Sequence, residues 1–360
     1  MQTALGTGGQ LALGVVAVLG MFLVLVAPHE AGHMVVAQLC RVRVYEFAIG
    51  MGNKVWGVMR GGTLYALRIF PIGGYVRLAG MEPGDYEAPD GFNRRPAHQR
   101  MAILLAGPAV NFVVAALLVT IVGLTQLNND PGKVVGVQKG GSAQQAGLRT
   151  GDSIQTVNGQ PLHSDTQIQQ FEQAHPKAPL VLQVRRSDGS TYQTTVHPTY
   201  DSRQKQYLMG ISTALVVTPV DAVRTGVQFP FVATAGIVSG VGMLITGEIP
   251  GGLLGPEGLG GPIATSRFAY EAALQGVTTW LTLAAFLSVS IGLANLLPIP
   301  ALDGGRMVVV VLEKLRGRPF DRDREMAIQR AGFVALLALV LLIALLDVQR
   351  IATGQFPELK

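Results

Sequence analysis

A His-Glu-Ala-Gly-His run, His29 to His33, lies inside an apolar stretch that starts near Gln10 and continues through Leu39. Nothing else in the chain narrows the fold as much. Residues four apart share one face of a helix, so His29 and His33 can offer two imidazole nitrogens to one metal ion, while Glu30 is placed to hold and deprotonate a water. An idle glutamate at membrane depth costs about 3 kcal/mol on insertion scales, which weighs against two packed histidines beside a spectator carboxylate. The chain must therefore build a polar, metal-competent cavity inside an apolar helix bundle.

Composition agrees with that setting. Charged residues make up 14% of the 360 and hydrophobic residues 49%, against about 25% charged in soluble proteins. The net charge of +5 is not a nucleic-acid signature, because Lys and Arg gather in two loops that flank apolar runs. No nucleic-acid partner is expected. The single cysteine, Cys40, excludes an intramolecular disulfide and reads as a small filler at a helix end.

Met1 to Pro28 carries no charged side chain, so it lacks the basic start of a signal peptide and is expected to stay as a first span, about 10–39. Residues 41–100 hold nine Lys or Arg against five acids. Within them, Lys54 to Arg60 and Thr63 to Ile69 flank Gly61-Gly62 as a hairpin, and Gly73-Gly74 precedes a further short strand, Tyr75 to Ala79. Met101 to Asn129, Val277 to Leu302 and Ala331 to Leu346 supply three more spans, the last two separated by a second basic loop, 304–330. Between 132 and 198 the composition becomes that of a small soluble α+β domain. Lys133 to Gln138, Ile154 to Val157, Leu180 to Arg186 and Thr191 to His197 read as strands, with helices near 142–146 and 165–174. The resulting division is 1–129, 130–200, 201–276 and 277–360.

Two histidines leave a zinc ion short of ligands, since catalytic sites supply three and keep a position open. His98 lies beside the second span, and His163, His175 and His197 lie in the soluble domain. Asp303 is the better candidate: it follows Asn295-Leu296-Leu297-Pro298-Ile299-Pro300-Ala301-Leu302, where two prolines end a helix and turn irregular backbone toward a cavity. The alternative is an interfacial aspartate that caps the next helix.

The His-Glu and Leu-Asp-Gly motifs together resemble the site-2 protease family of intramembrane zinc metalloproteases, closest to its bacterial RseP-like branch. The likeness covers nearly the whole chain. It implies that Zn2+ is held by His29, His33 and Asp303, with Glu30 as catalytic base. Gly107 to Asn111 matches the family's Gly-x-x-x-Asn stretch, and Asn295 its Asn-x-x-Pro-x-Pro-x-Leu-Asp-Gly asparagine, which implies that Asn111 and Asn295 help to hold an unwound substrate strand. The hairpin region, with Gly73, Gly74 and Tyr75, resembles the family's membrane-associated β-region, where a substrate can add as a strand. Ala146 to Gly159 resembles a PDZ domain, present once, which implies a peptide or protein ligand or a filter against bulky substrates. Pro28 stands before His29 where the family more often has an aliphatic residue; it removes the helix bond to the carbonyl of Val24, and a kink is expected there.

Expected, then, is an α-helical polytopic membrane protein with four spanning helices, a membrane-associated β-hairpin on the cytoplasmic side and an inserted PDZ domain. It would sit in the inner (plasma) membrane, with its active site toward the cytoplasm and the PDZ domain outside, and cleave transmembrane segments of single-span proteins such as an anti-sigma factor or a remnant signal peptide. Thr225 to Gly247 is apolar enough to cross. A fifth crossing would set the two basic loops on opposite sides and part His33 from Asp303, so this segment is expected to lie along or dip into the outer leaflet as a bent element. A metal transporter would place ionisable groups along several spans, which are absent from the middles of the second and the last; a catalytically silent PDZ scaffold would have no need of Glu30.

Overall fold

The computed structural model describes residues 7–174, 176–202, 205–249, 251–252, 255 and 258–356. His175 lies outside the described residues. Two compact units result: one formed by residues up to Val122 and from Thr225 onward, the other by Gly123 to Arg224.

The first unit is built on long helices, because apolar runs without charge satisfy their backbone only internally at membrane depth. Helix α1 (Thr7–Leu39) carries the His-Glu motif and continues through Pro28 as one helical run. Helix α2 (Ala97–Thr125) returns, with Pro108 inside it. Among the described residues five helices are long and apolar enough to cross a membrane: α1, α2, Pro219–Thr246, Val277–Asn295 and Arg322–Ala352. The most apolar stretch of the last is only 6% buried, and that of Pro219–Thr246 11%, so their apolar faces need a hydrocarbon solvent. The chain is a multi-pass membrane protein. Within the bundle, Met21 and Leu25 of α1 meet Ala115 and Leu118 of α2, Ala269, and the Ala284-Ala285-Val289 face of the later helix. Small side chains at these crossings let backbones approach closely, which supplies the packing that lipid cannot.

Between α1 and α2 the chain forms β1 (Val44–Arg60) and β2 (Thr63–Leu78). Both strands fold back on themselves. Glu46 to Ile49 face Leu64 to Leu67 on one side and Arg77 to Gly74 on the other, while Trp56 to Arg60 pair with Leu67 to Thr63 around the Gly61-Gly62 turn. Residues 44–50 alternate strictly between buried and half-buried. This inner segment is absent from the sequence reading because its buried face includes Glu46, whose carboxylate takes a 2.6 Å ion pair from Arg68.

The second unit comprises β3 (Val134–Val137), α3 (Ser142–Gln145), β4 (Ser153–Val157), β5 (Gln160–Pro161), α4 (Gln167–Ala174), β6 (Leu180–Arg185), β7 (Thr191–Val196), β8 (Thr199–Asp201), β9 (Gln206–Leu208) and β10 (Ile211–Thr213). A four-stranded sheet runs in the order β5-β4-β6-β7, and β10 pairs with β3. Val134, Ile154, Val157, Leu180, Leu182, Val184 and Met209 form its fully buried core. Residues 206–213, which the sequence reading placed in the 201–276 linker, pack with this unit through β10 and Met209.

Beyond it lie α5 (Pro219–Thr246), α6 (Pro262–Gln275), α7 (Val277–Asn295), α8 (Asp303–Arg316) and α9 (Arg322–Ala352). Helix α5 is one 28-residue run with Pro230 inside it. Helix α7 ends at Asn295, ahead of the prolines that cannot continue it. The loop that follows is held over the first turn of α8. A Cβ at Gly304 would stand 2.6 Å from the carbonyl carbon of Leu296, and one at Gly305 2.7 Å from that of Ile299, so only glycine admits this crossing. Ala301, in the left-handed region at φ 80°, is fixed there by a 2.5 Å bond from its N–H to Oε1 of Gln329 on α9.

Candidate metal centre

Helical spacing sets the first half of the site. His29 and His33 lie one turn apart on α1, both buried, with Nε2 atoms 3.2 Å apart and rings edge to face. The loop after α7 delivers the second half. Oδ2 of Asp303, the first residue of α8, lies 3.3 Å from Nε2 of His29 and 3.3 Å from Nε2 of His33. Three donor atoms from two distant parts of the chain thus form a nearly equilateral triangle, and these three residues could hold a metal ion.

The spacing and the proton count both fit a cation. A tetrahedral ion with bonds of about 2.0–2.1 Å sets neighbouring ligand atoms about 3.3–3.4 Å apart. Nδ1 of His33 lies 2.7 Å from the carbonyl oxygen of Ile103 on α2; donating its proton there leaves Nε2 with a lone pair pointing into the triangle. With the proton of His29 likewise on Nδ1, two imidazole lone pairs and a carboxylate oxygen converge on one point, an arrangement that positive charge between them stabilises. Gly107 keeps that point free. A Cβ there would fall well inside van der Waals contact of Nε2 of His33 and 2.8 Å from Nε2 of His29.

Glu30 is half-buried beside this triangle, and Val76 of β2 lies close to its carboxylate. A Cβ at Gly74 would reach within 3.4 Å of Cγ of Glu30. The stretch from Gly73 through Tyr75 to Val76 therefore runs along the motif, with Gly74 paired to Ile49 and Tyr75 to Ala48. Asn111, one turn beyond Gly107 on α2, is fully buried, and neither oxygen nor nitrogen of its amide has a hydrogen-bond partner among the described residues. Asn295 differs: its amide donates at 3.0 Å to the carbonyl of Ile291 on its own helix.

Several supporting groups were not singled out from sequence. The carbonyl of Ile103 carries no side-chain signal. Arg100, one turn before it, pairs with Glu313 of α8 at 2.6 Å, and Glu313 also takes Arg322 of α9 at 2.8 Å. Burial alone would raise the pKa of Glu313, but the bonds from Arg100 and the N–H of Phe320, with the charge of Arg322, hold it below the ordinary value. At the other end of α9, the fully buried Asp347 accepts from the N–H groups of Gly261 and Ala264 at 3.0 Å each. Arg350 ties the preceding loop through the carbonyls of Leu259 and Gly255. An acid and a base three residues apart within an apolar helix were the available signal for that last pair.

Comparison with known proteins agrees with the geometry. A chain of Clostridium acetobutylicum is 32% identical over 336 residues, covering 93% of this chain and 96% of its own. Zinc metalloprotease RasP of Geobacillus kaustophilus is 29% identical, with 92% of this chain and 96% of that one covered. Regulator of sigma-W protease RasP of Bacillus subtilis is 27% identical, with 94% and 98% covered. Residues 17–339 match the peptidase family M50 as a whole. With this match spanning both motifs, the chain belongs to peptidase family M50, the site-2 protease family, and is a zinc metalloprotease.

Proposed function

We propose that His29, His33 and Asp303 hold the zinc ion and that Glu30 is the catalytic base for peptide-bond hydrolysis within the transmembrane segment of a single-span protein. The observation that carries this reading is the triangle of donor atoms at 3.2–3.3 Å. Bound there, zinc would polarise the scissile carbonyl and acidify a water. Glu30 takes the proton from that water and returns it to the leaving nitrogen. The Gly73–Val76 stretch beside Glu30 suits an unwound substrate that adds along the sheet edge, because a peptide bond tied into a helix does not present its carbonyl. Asn111 and Asn295 complete the substrate cleft, Asn111 with a free amide and Asn295 by releasing its bond to Ile291. The name of the Bacillus subtilis relative supports an anti-sigma factor as substrate, with remnant signal peptides as the alternative. The test is cleavage of a purified single-span substrate in detergent. Activity should vanish with a chelator and with Glu30→Gln; cleavage that survives both sinks the mechanism.

The same reading has four crossings, with α5 along the outer leaflet. The start of α5 packs on α2, where a Cβ at Gly226 would stand 2.6 Å from the carbonyl of Ala116. Its end is joined to the Arg350 end of α9 by successive turns: Ile249 to Met243, Gly252 to Ile249 and Gly255 to Gly252, with Gly255 bound by Arg350. Three turns cover roughly 20 Å, while Arg322 lies about 42 Å away along α9 at 1.5 Å per residue. Both ends of α5 are thus on the side where α2 and α9 finish, which supports placing that side, the termini and the inserted PDZ-like unit outside. Cysteines at Thr353 and Ser187 should react with an impermeant reagent from outside and those at Asp90 and Arg318 should not; outside labelling at Arg318 alone of the latter two overturns it.

A further inference from the structure

Asp303 meets the two histidines only because the loop before it takes one particular shape, and the backbone N–H groups of that loop show what holds it. Leu296 and Leu297 donate back to the carbonyls of Leu293 and Ala294 in α7, Ile299 donates to Leu297, and Leu302 to Ile299. Pro298 and Pro300 have no N–H to give. Ala301 is the residue of this loop whose N–H turns outward, at 2.5 Å from Oε1 of Gln329 on α9. It does so with φ at 80°, a conformation that a residue with a side chain seldom keeps without an external restraint. Gln329 is itself buried, at 7% exposure.

One turn along α9, Gly332 meets the same peptide from its carbonyl side. A Cβ there would lie 2.7 Å from the carbonyl oxygen of Pro300 and 2.8 Å from the carbonyl carbon, so glycine is what lets α9 come this close. Residues three apart share a helix face, and these two hold opposite ends of one peptide unit, the Pro300 carbonyl and the Ala301 N–H. The first turn of α8 offers no substitute. Leu302, its N-cap, makes no side-chain cap, and the Asp303 carboxylate is turned to Nε2 of both histidines. We infer that Gln329 and Gly332 of the last helix are positioning residues of the zinc centre, which hold the Pro300–Ala301 peptide so that the Asp303 carboxylate completes the triangle. This rests on Asp303 being a zinc ligand. Without the Gln329 acceptor, Ala301 relaxes toward negative φ, and the carboxylate two residues further on leaves its place.

The test loads the full-length protein in detergent with Co2+, whose visible absorption reports ligand geometry, and measures zinc affinity by chelator competition. Gln329→Met keeps the side-chain length but loses the acceptor; it should shift the cobalt bands and weaken zinc about tenfold. Gln329→Glu retains an oxygen acceptor and should restore both. Gly332→Ala, whose methyl meets loop backbone, should behave as Gln329→Met does. Asp347→Asn, near the other end of α9 where the carboxylate caps Gly261 and Ala264, should lower the thermal midpoint and leave the cobalt spectrum as in the wild type. Asp303→Asn checks the ligand itself: an unchanged spectrum there removes the zinc assignment and this inference with it. A shifted spectrum in Asp303→Asn, with wild-type spectra and zinc affinity in Gln329→Met and Gly332→Ala, overturns the positioning role alone. So does an equal shift in Asp347→Asn, or a loss in Gln329→Glu as large as in Gln329→Met.

Discussion

His33 reaches Ile103 through Nδ1 at 2.7 Å, across seventy residues of sequence, and this one bond fixes which nitrogen of the imidazole faces Asp303. The carbonyl belongs to α2, so the metal centre depends on the α1–α2 crossing as much as on its own side chains. Gly107 sits at the same crossing.

Gly107→Ala should therefore disable the centre without unfolding the bundle. The added methyl meets the ends of two imidazoles rather than backbone, and the rings must swing away from the triangle. Zinc retained after gel filtration should fall at least about tenfold, as for other changes that misorient ligands. Circular dichroism should show the wild-type helix content. Full zinc occupancy in this variant would show that the ion sits elsewhere.

Asn111→Ala should separate stability from turnover. An amide with neither end bonded costs about 1–3 kcal/mol, and the small cavity left by truncation offsets much of that gain. Thermal unfolding should shift little and zinc content not at all, while cleavage of a single-span substrate falls. A large loss of stability with cleavage intact would make Asn111 structural.

How much of this could be read from residues alone depended on where the information lies. The His-Glu helix was legible because its spacing and its apolar setting are both local. Asp303 was legible because two prolines mark the loop that delivers it. The strand 44–50 was not, because its inward face includes Glu46, whose partner Arg68 is a long-range contact. The Asp347 cap was hidden for the same reason: its partners are backbone N–H groups more than eighty residues away. Resemblance supplied the role of the Gly73–Tyr75 stretch, which no periodicity marks.

Acid should loosen the α2–α8 bridge. Glu313 is held below its ordinary value near 4.5, so its contribution to stability is complete above that value and is lost as pH falls through its lowered pKa in the folded protein. Thermal midpoints in detergent should drop on acidification below the ordinary range in the wild type. Glu313→Gln should lose stability at neutral pH and flatten that dependence. An identical acid profile in the two proteins would assign the transition to other carboxylates.

The central claim is that two histidines of one helix and an aspartate delivered by a distant loop share one zinc ion. X-ray absorption at the zinc edge reads this set directly in the purified protein. The account predicts two imidazole nitrogens with oxygen completing the shell at about 2.0–2.2 Å, and a changed shell in Asp303→Asn. A sulfur scatterer near 2.3 Å, or a shell that Asp303→Asn and His33→Ala leave as it was, would contradict it.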